Sequence, residues 1–217
     1  MTPSTERKHA TFYWGWMTLV IGAILAAISI FWVEPPTTEQ KATALPWEAK
    51  VNSEGRLDVL GLTLGKSSTR DAMSLYGKEV QVRLFANMQG EAISLESFFE
   101  DMYIGYSLRG RLVLTLDVKP EQLNQMLESG ARIKTTETGV REVSLSSNDS
   151  ALALDIPIRA LTYLPYPKLD EATLTSRFGE PAQDSVGDDG IRRWHYPALK
   201  LVILFHDSDR KSLQFGE

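Results

Sequence analysis

Three histidines are the only imidazoles in this chain, at positions 9, 195 and 206. His206 stands directly before Asp207, with Asp209 just beyond, and the pair Asp188-Asp189 precedes Gly190 on the way to His195. Imidazole beside carboxylate is the material of a cation site or of a general base. A hydrolytic reading would therefore use His195 or His206 with Asp207. Both acidic groups, however, fall where hairpin turns are expected, and an aspartate in a turn bonds its own backbone. His195 alternates with Trp194 and Tyr196, as a strand residue does. The chain has no cysteine, which removes disulfides, thiolate metal sites and a lipidated N-terminal Cys. No G-x-S-x-G elbow, H-E-x-x-H pair, phosphate-binding loop or dinucleotide fingerprint occurs. The expectation is no catalysis, no metal and no cofactor.

A different chemistry is offered by Tyr163-Leu164-Pro165-Tyr166-Pro167 and by Phe98-Phe99. Tyr beside rigid Pro gives large contact area at low entropic cost, and aromatic residues are enriched at interfaces. Trp47 stands alone between Pro46 and Glu48. Tyr163, Tyr166, Phe98, Phe99 and Trp47 are thus the candidate binding residues. The alternative for each is burial in the core; for Trp47 it is docking onto the following domain.

The elements that would place these residues begin with Thr11 to Val33, 23 residues without a charged side chain. About 20 apolar residues cross a hydrocarbon core. Tyr13, Trp14 and Trp16 at one end, with Phe31 and Trp32 at the other, match the aromatic belts of the two interfaces. Arg7 and Lys8 precede the span and Glu34 and Glu39 follow it, so the N-terminus is expected in the cytoplasm. A cleaved signal is the competing reading, with small residues at Ala27-Ile28-Ser29, but the apolar run continues past that point. Setting aside Glu6, Arg7 and Lys8, the 23 bases and 28 acids become 21 and 27, a net charge of −6. An acidic surface of interspersed signs argues against nucleic-acid binding.

Residues 34–50 carry Pro35, Pro36 and Pro46 without apolar periodicity, and read as a stiffened linker. Beyond it, Ser67, Ser68 or Thr69 can cap a helix ending at Gly77, and Val80 to Ala86 alternates with period two. Leu112 to Val118 reads as a buried strand, and Pro120 opens a short helix. Ser146 to Ser150 reads as a polar loop. Ile158 to Leu164 is β-like, Asp170 caps a helix to Phe178, and the stretches Ile191–Tyr196, Leu199–Phe205 and Ser212–Phe215 read as strands.

Two passages share one order of features. Leu62 to Gly77 runs strand, polar cap, short helix, aromatic, glycine, and Leu161 to Gly179 repeats that order, ending in Phe178-Gly179. Gly65-Lys66-Ser67-Ser68-Thr69-Arg70-Asp71-Ala72 with Tyr76-Gly77, and Leu169-Asp170-Glu171-Ala172 with Arg177-Phe178-Gly179-Glu180-Pro181, resemble the SmpA/OmlA (BamE-like) lipoprotein modules. In tandem they are similar to the β-lactamase inhibitory protein architecture. The resemblance implies protein binding or envelope assembly and transfers no catalytic residue. These modules carry a lipid on cysteine, whereas here the anchor would be a helix.

The resulting expectation is an α+β chain. It comprises a cytoplasmic tail (1–10), a transmembrane helix (11–33), the linker (34–50) and two helix-plus-antiparallel-sheet repeats (51–146 with an insertion, and 147–217). It would lie in the bacterial inner membrane with its domain in the periplasm, its partners the membrane and another envelope protein. A pocket for a lipid or cell-wall fragment is the alternative. Fused at the C-terminus, a reporter that works only in the periplasm should be active, and one that works only in the cytoplasm silent. The reverse pattern would overturn the orientation.

Overall fold

A computed structural model of the chain describes residues 44–105, 108–135, 139–206 and 210–216. The expected transmembrane segment with Tyr13, Trp14, Trp16, Phe31 and Trp32, most of the linker, His9, Asp207 and Asp209 lie outside those residues. Among the described residues no helix is long and apolar enough to cross a membrane. The described part of the expected linker, residues 44–50, belongs to the domain. Pro46 and Ala49 are buried around the 3-10 turn Pro46–Glu48.

Strands β1 (Lys50–Val51), β2 (Leu57–Val59) and β3 (Leu62–Thr63) make a small antiparallel sheet. Leu60 and Gly61, between β2 and β3, have φ of 52° and 72°, the left-handed pair that a two-residue hairpin requires. Leucine is unfavourable there. Its side chain is fully buried and its carbonyl accepts the Tyr76 hydroxyl, and these contacts hold the turn. Helix α1 (Thr69–Tyr76) follows a reciprocal cap: the Asp71 N–H donates to Ser68 Oγ, and the Asp71 carboxylate accepts from the Ser68 N–H at 2.8 Å. Next come β4 (Gln81–Ala86), β5 (Ala92–Ile104), β6 (Leu108–Leu116), α2 (Pro120–Glu128), β7 (Arg132–Thr135), β8 (Arg141–Ser144) and α3 (Ser147–Ala153). The chain finishes with β9 (Ile158–Pro165), α4 (Glu171–Phe178), β10 (Gln183–Val186), β11 (Arg192–Tyr196), β12 (Leu201–Phe205) and β13 (Lys211–Phe215). Asp170 caps α4 by accepting from the Thr173 N–H at 2.7 Å.

Ten of these strands form one antiparallel sheet in the order β10-β11-β12-β13-β9-β6-β5-β4-β8-β7. Strand β9 is the join, pairing with β6 on one side (Leu112 opposite Tyr163) and β13 on the other (Leu213 opposite Tyr163). One face of the sheet is buried: Leu84, Leu95, Phe99, Leu112, Leu114, Leu161, Tyr163, Ile203 and Leu213 are all at most 2% exposed. Helix α1 lies on that face through Thr69, whose hydroxyl bonds Ser97 Oγ at 2.8 Å within the core. The small sheet is tied to β9 where Ile158 accepts from the Gly65 N–H and donates to Ser67 O.

This corrects the expected fold class. The described domain is mostly β, with helices of only seven to nine residues, rather than α+β with two helix-plus-sheet repeats. The reason is the strand edge each meander would leave open. β9 covers both edges with backbone hydrogen bonds, so the two halves fuse into one sheet. Ser146 to Ser150 is likewise not a loop: Ser146 Oγ accepts from the Asp149 N–H and starts α3. The polar run that suggests a loop is a capped first turn.

Gly110 marks the tightest approach at the sheet's centre. A Cβ placed there would lie 2.5 Å from Leu164 O and 2.6 Å from Tyr163 Cε2, neither of which is the tip of a flexible chain. Gly110→Ala should therefore destabilise the domain by about 1–3 kcal/mol despite adding a single methyl. Urea unfolding measures it, and an unchanged midpoint would show that the β6–β9 join is looser than described.

Candidate functional site

Because side chains alternate across a strand, burial of one face turns every second residue outward. The registers place those outward residues in continuous files. Gln81 pairs with Phe98, Phe98 with Val113, Val113 with Thr162, and Thr162 with Gln214. The file continues through Val202 and His195 to Gln183. It crosses eight strands, about 34 Å at about 4.8 Å per strand. Every side chain in it is apolar, hydroxyl, amide or imidazole, with no carboxylate or ammonium group. The inner six, from Phe98 to His195, are half-buried and the two glutamines at its ends exposed. Farther along the same face Leu204 and Ser212, opposite each other on β12 and β13, are 8% and 3% exposed. Phe85 lies beside the file and packs edge-on against Phe98, with ring centroids 5.9 Å apart.

The arginines around the file are held in pairs, whereas the carboxylate of Glu96, two residues from Phe98 on the same face, has the Ser94 hydroxyl as its partner. Arg83 Nε bonds the Glu142 carboxylate at 2.6 Å, Arg111 meets Glu100 at 2.7 Å, and Arg193 meets Asp189 at 2.5 Å. Arg109 bonds both oxygens of Asp101 at 2.5 Å and holds that carboxyl below its ordinary pKa. Its guanidinium carbon also sits 5.6 Å from the Tyr103 ring centre and 5.5 Å from that of Tyr166. These rings are 60% and 50% exposed, so an aromatic-flanked arginine forms one end of the face. A bulge in β5 between Phe99 and Met102 brings Glu100 and Asp101 to this end.

Neighbouring candidate residues diverge. Tyr163 is fully buried whereas Tyr166 is half exposed and donates its hydroxyl to Glu100 O. Phe99 is in the core and Phe98 in the outer file. Trp47 packs on the domain, with Arg177 Cζ 4.8 Å from its ring centre. Sequence reasoning missed Val113, Thr162, Val202 and Gln214. The period-two pattern marks each as outward, yet only strand register shows that they are neighbours.

The histidines do not converge. His195 Nε2 lies 3.4 Å from Ser185 Oγ, and His206 Nε2 lies 3.0 Å from Ser212 Oγ. Ser212 is only 3% exposed, so its hydroxyl is closed to a substrate. Among the described residues no group of three or more His, Cys, Asp or Glu could hold a metal ion. Asp188 and Asp189 form the expected turn between β10 and β11, where Asp189 accepts from the Ile191 N–H. A cleft of about 490 Å3 between the end of α1 and β5, lined by Tyr76, Lys78, Glu79, Phe98 and Glu100, lies wholly within the first half of the domain. Compared with family models, curated proteins and solved structures, the chain matches none.

Glu96 is a carboxylate of the open face, cross-strand from Arg83 and Thr115. Burial raises its pKa above the ordinary value, while a hydrogen bond from Ser94 opposes the shift. The folded state then holds the Glu96 proton more tightly than the unfolded chain does, so ionisation costs stability. That cost is absent below the usual carboxylate range and grows as pH rises through it. Glu96→Gln should raise the unfolding midpoint near pH 7, and the gain should vanish at about pH 4. An equal gain at both pH values in thermal melts would contradict this origin.

Proposed function

We propose that the chain is a single-pass, membrane-anchored periplasmic module that binds another protein through the open sheet face, with a scaffolding or assembly role in the envelope. The observation that carries the reading is the neutral file from Gln81 to Gln183. Eight cross-strand neighbours without an ionic group present a central file that a partner can cover without stripping water from a charge in it. The flanking arginines already have their carboxylates. Tyr103, Arg109 and Tyr166 at one end belong to the residue types that dominate binding hot spots. The interspersed charge and the acidic balance fit a protein partner and oppose nucleic acid. The apolar, aromatic-bounded segment 11–33 and the basic residues before it support the anchor and the orientation.

A photo-crosslinking residue at Val113 or Val202 should give a protein adduct in cells, while the same group at Glu121, exposed on α2 away from the face, should not. Mass spectrometry identifies the adduct. Equal labelling from Glu121, or no adduct from either face position, would remove the reading.

A further inference from the structure

The file on the open face reads nearly the same from both ends. Its midline falls between β9 and β13, the neighbours that carry Thr162 and Gln214. At equal distances outward stand Val113 on β6 and Val202 on β12, then Phe98 on β5 and His195 on β11, then Gln81 on β4 and Gln183 on β10. Valine balances valine, a flat ring balances a flat ring, and glutamine balances glutamine. A twofold axis sets each position of a face over its mirror position in the other copy, so here apolar meets apolar, ring meets ring and amide meets amide, which makes the file self-complementary.

We infer that the partner of this face is a second copy of the same chain, packed sheet on sheet about a twofold axis that runs along the strands at the β9–β13 midline. The inference rests on the protein-binding reading of the face and names its occupant. In that arrangement Val113 of one copy lies over Val202 of the other, Phe98 over His195, Thr162 over Gln214, and Gln81 over Gln183. Sheets packed face to face sit about 10 Å apart with their strands aligned to within about 30°. The rings of Phe98 and His195 then stack, and the amides of Gln81 and Gln183 can bond across the rim.

Charge and area both fit. Each domain is net negative, so two copies repel at long range. Along the file the contact escapes this, since Arg83, Arg111 and Arg193 are each already neutralised by a carboxylate of their own chain, and the carboxylate beside it, Glu96, is shifted toward its protonated form by burial. Eight strands with two or three outward residues each project roughly 500–800 Å2. Side-chain relief brings that near the roughly 800 Å2 per partner of a standard interface.

The test uses the absence of native cysteine. The full-length chain is expressed in membranes with single cysteines and treated with a short bismaleimide of about 8 Å reach, which spans the sheet gap that a disulfide cannot. Thr162→Cys lies beside the axis and should link to itself, giving twice the monomer mass. Val113→Cys and Val202→Cys should each link poorly alone and several-fold better when co-expressed. Gln122→Cys, exposed on α2, is the control for random encounter. Val202→Asp, which sets a charge opposite Val113 in both halves, should lower the Thr162→Cys yield about tenfold, the effect of roughly 1.4 kcal/mol. Dimer from Thr162→Cys at no more than the Gln122→Cys level would overturn self-pairing. The protein-binding reading then stands if the photo-crosslinker at Val113, which needs no cysteine in its target, still captures another protein, and falls with it if that crosslinker captures none.

Discussion

The backbone ladder on both sides of β9 is the constraint on which the rest of this domain depends. Without it, the five strands β7, β8, β4, β5 and β6 and the four-stranded meander β10–β13 would be two separate sheets, open at β6 and at β13. With Tyr163 facing Leu112 on one side and Leu213 on the other, the two share one core. The pairing leaves almost no room at Gly110, where the backbone of β9 occupies the space a side chain would need.

A single sheet of this width divides the chemistry by face. Leucines and aromatics on the inner face are sealed beneath the short helices and the small sheet. On the outer face the inner residues of the central file are half-buried, Leu204 and Ser212 beside them are buried, and polar groups bond locally. Arg83 with Glu142 and Arg193 with Asp189 are arrangements of this kind. Each exposed pair adds little stability by itself. Their consequence is that the face can be covered by a partner without any arginine losing its counter-charge.

How much of this is legible in the sequence depends on the range of the interaction. Local signals succeed. The Ser68 and Asp170 caps, the glycines that end α1 and α4, Pro120 at the start of α2 and the alternation of β4 all act within a few residues. Ser146 to Ser150 misleads because a capped polar first turn and a polar loop have the same composition. Fold class goes astray for a different reason: the helix–strand order of the two passages is real, but nothing local says that β9 will bridge them. The site divides in the same way. Alternation separates Phe98 from Phe99, yet Val113, Thr162 and Val202 become neighbours only through pairings between strands far apart in the chain.

The sheet's edges give one more reason to look to its face for association. Strands β7 and β10 end the sheet and are only four residues long. Short edges with charged side chains resist the addition of another strand. Lys134 stands on β7, and on β10 Asp184 is held by Arg192, which also bonds Glu171 of α4. That cross-link ties the β10 edge to a helix and restrains the strand from turning outward. An ordered sheet offers its environment either unpaired backbone at an edge or side chains on a face. Here both edges are short and charged, while eight strands of the open face carry no charge along their central file. A partner that recognises this domain therefore meets side chains rather than main chain, and its specificity must lie in shape and neutral polar groups.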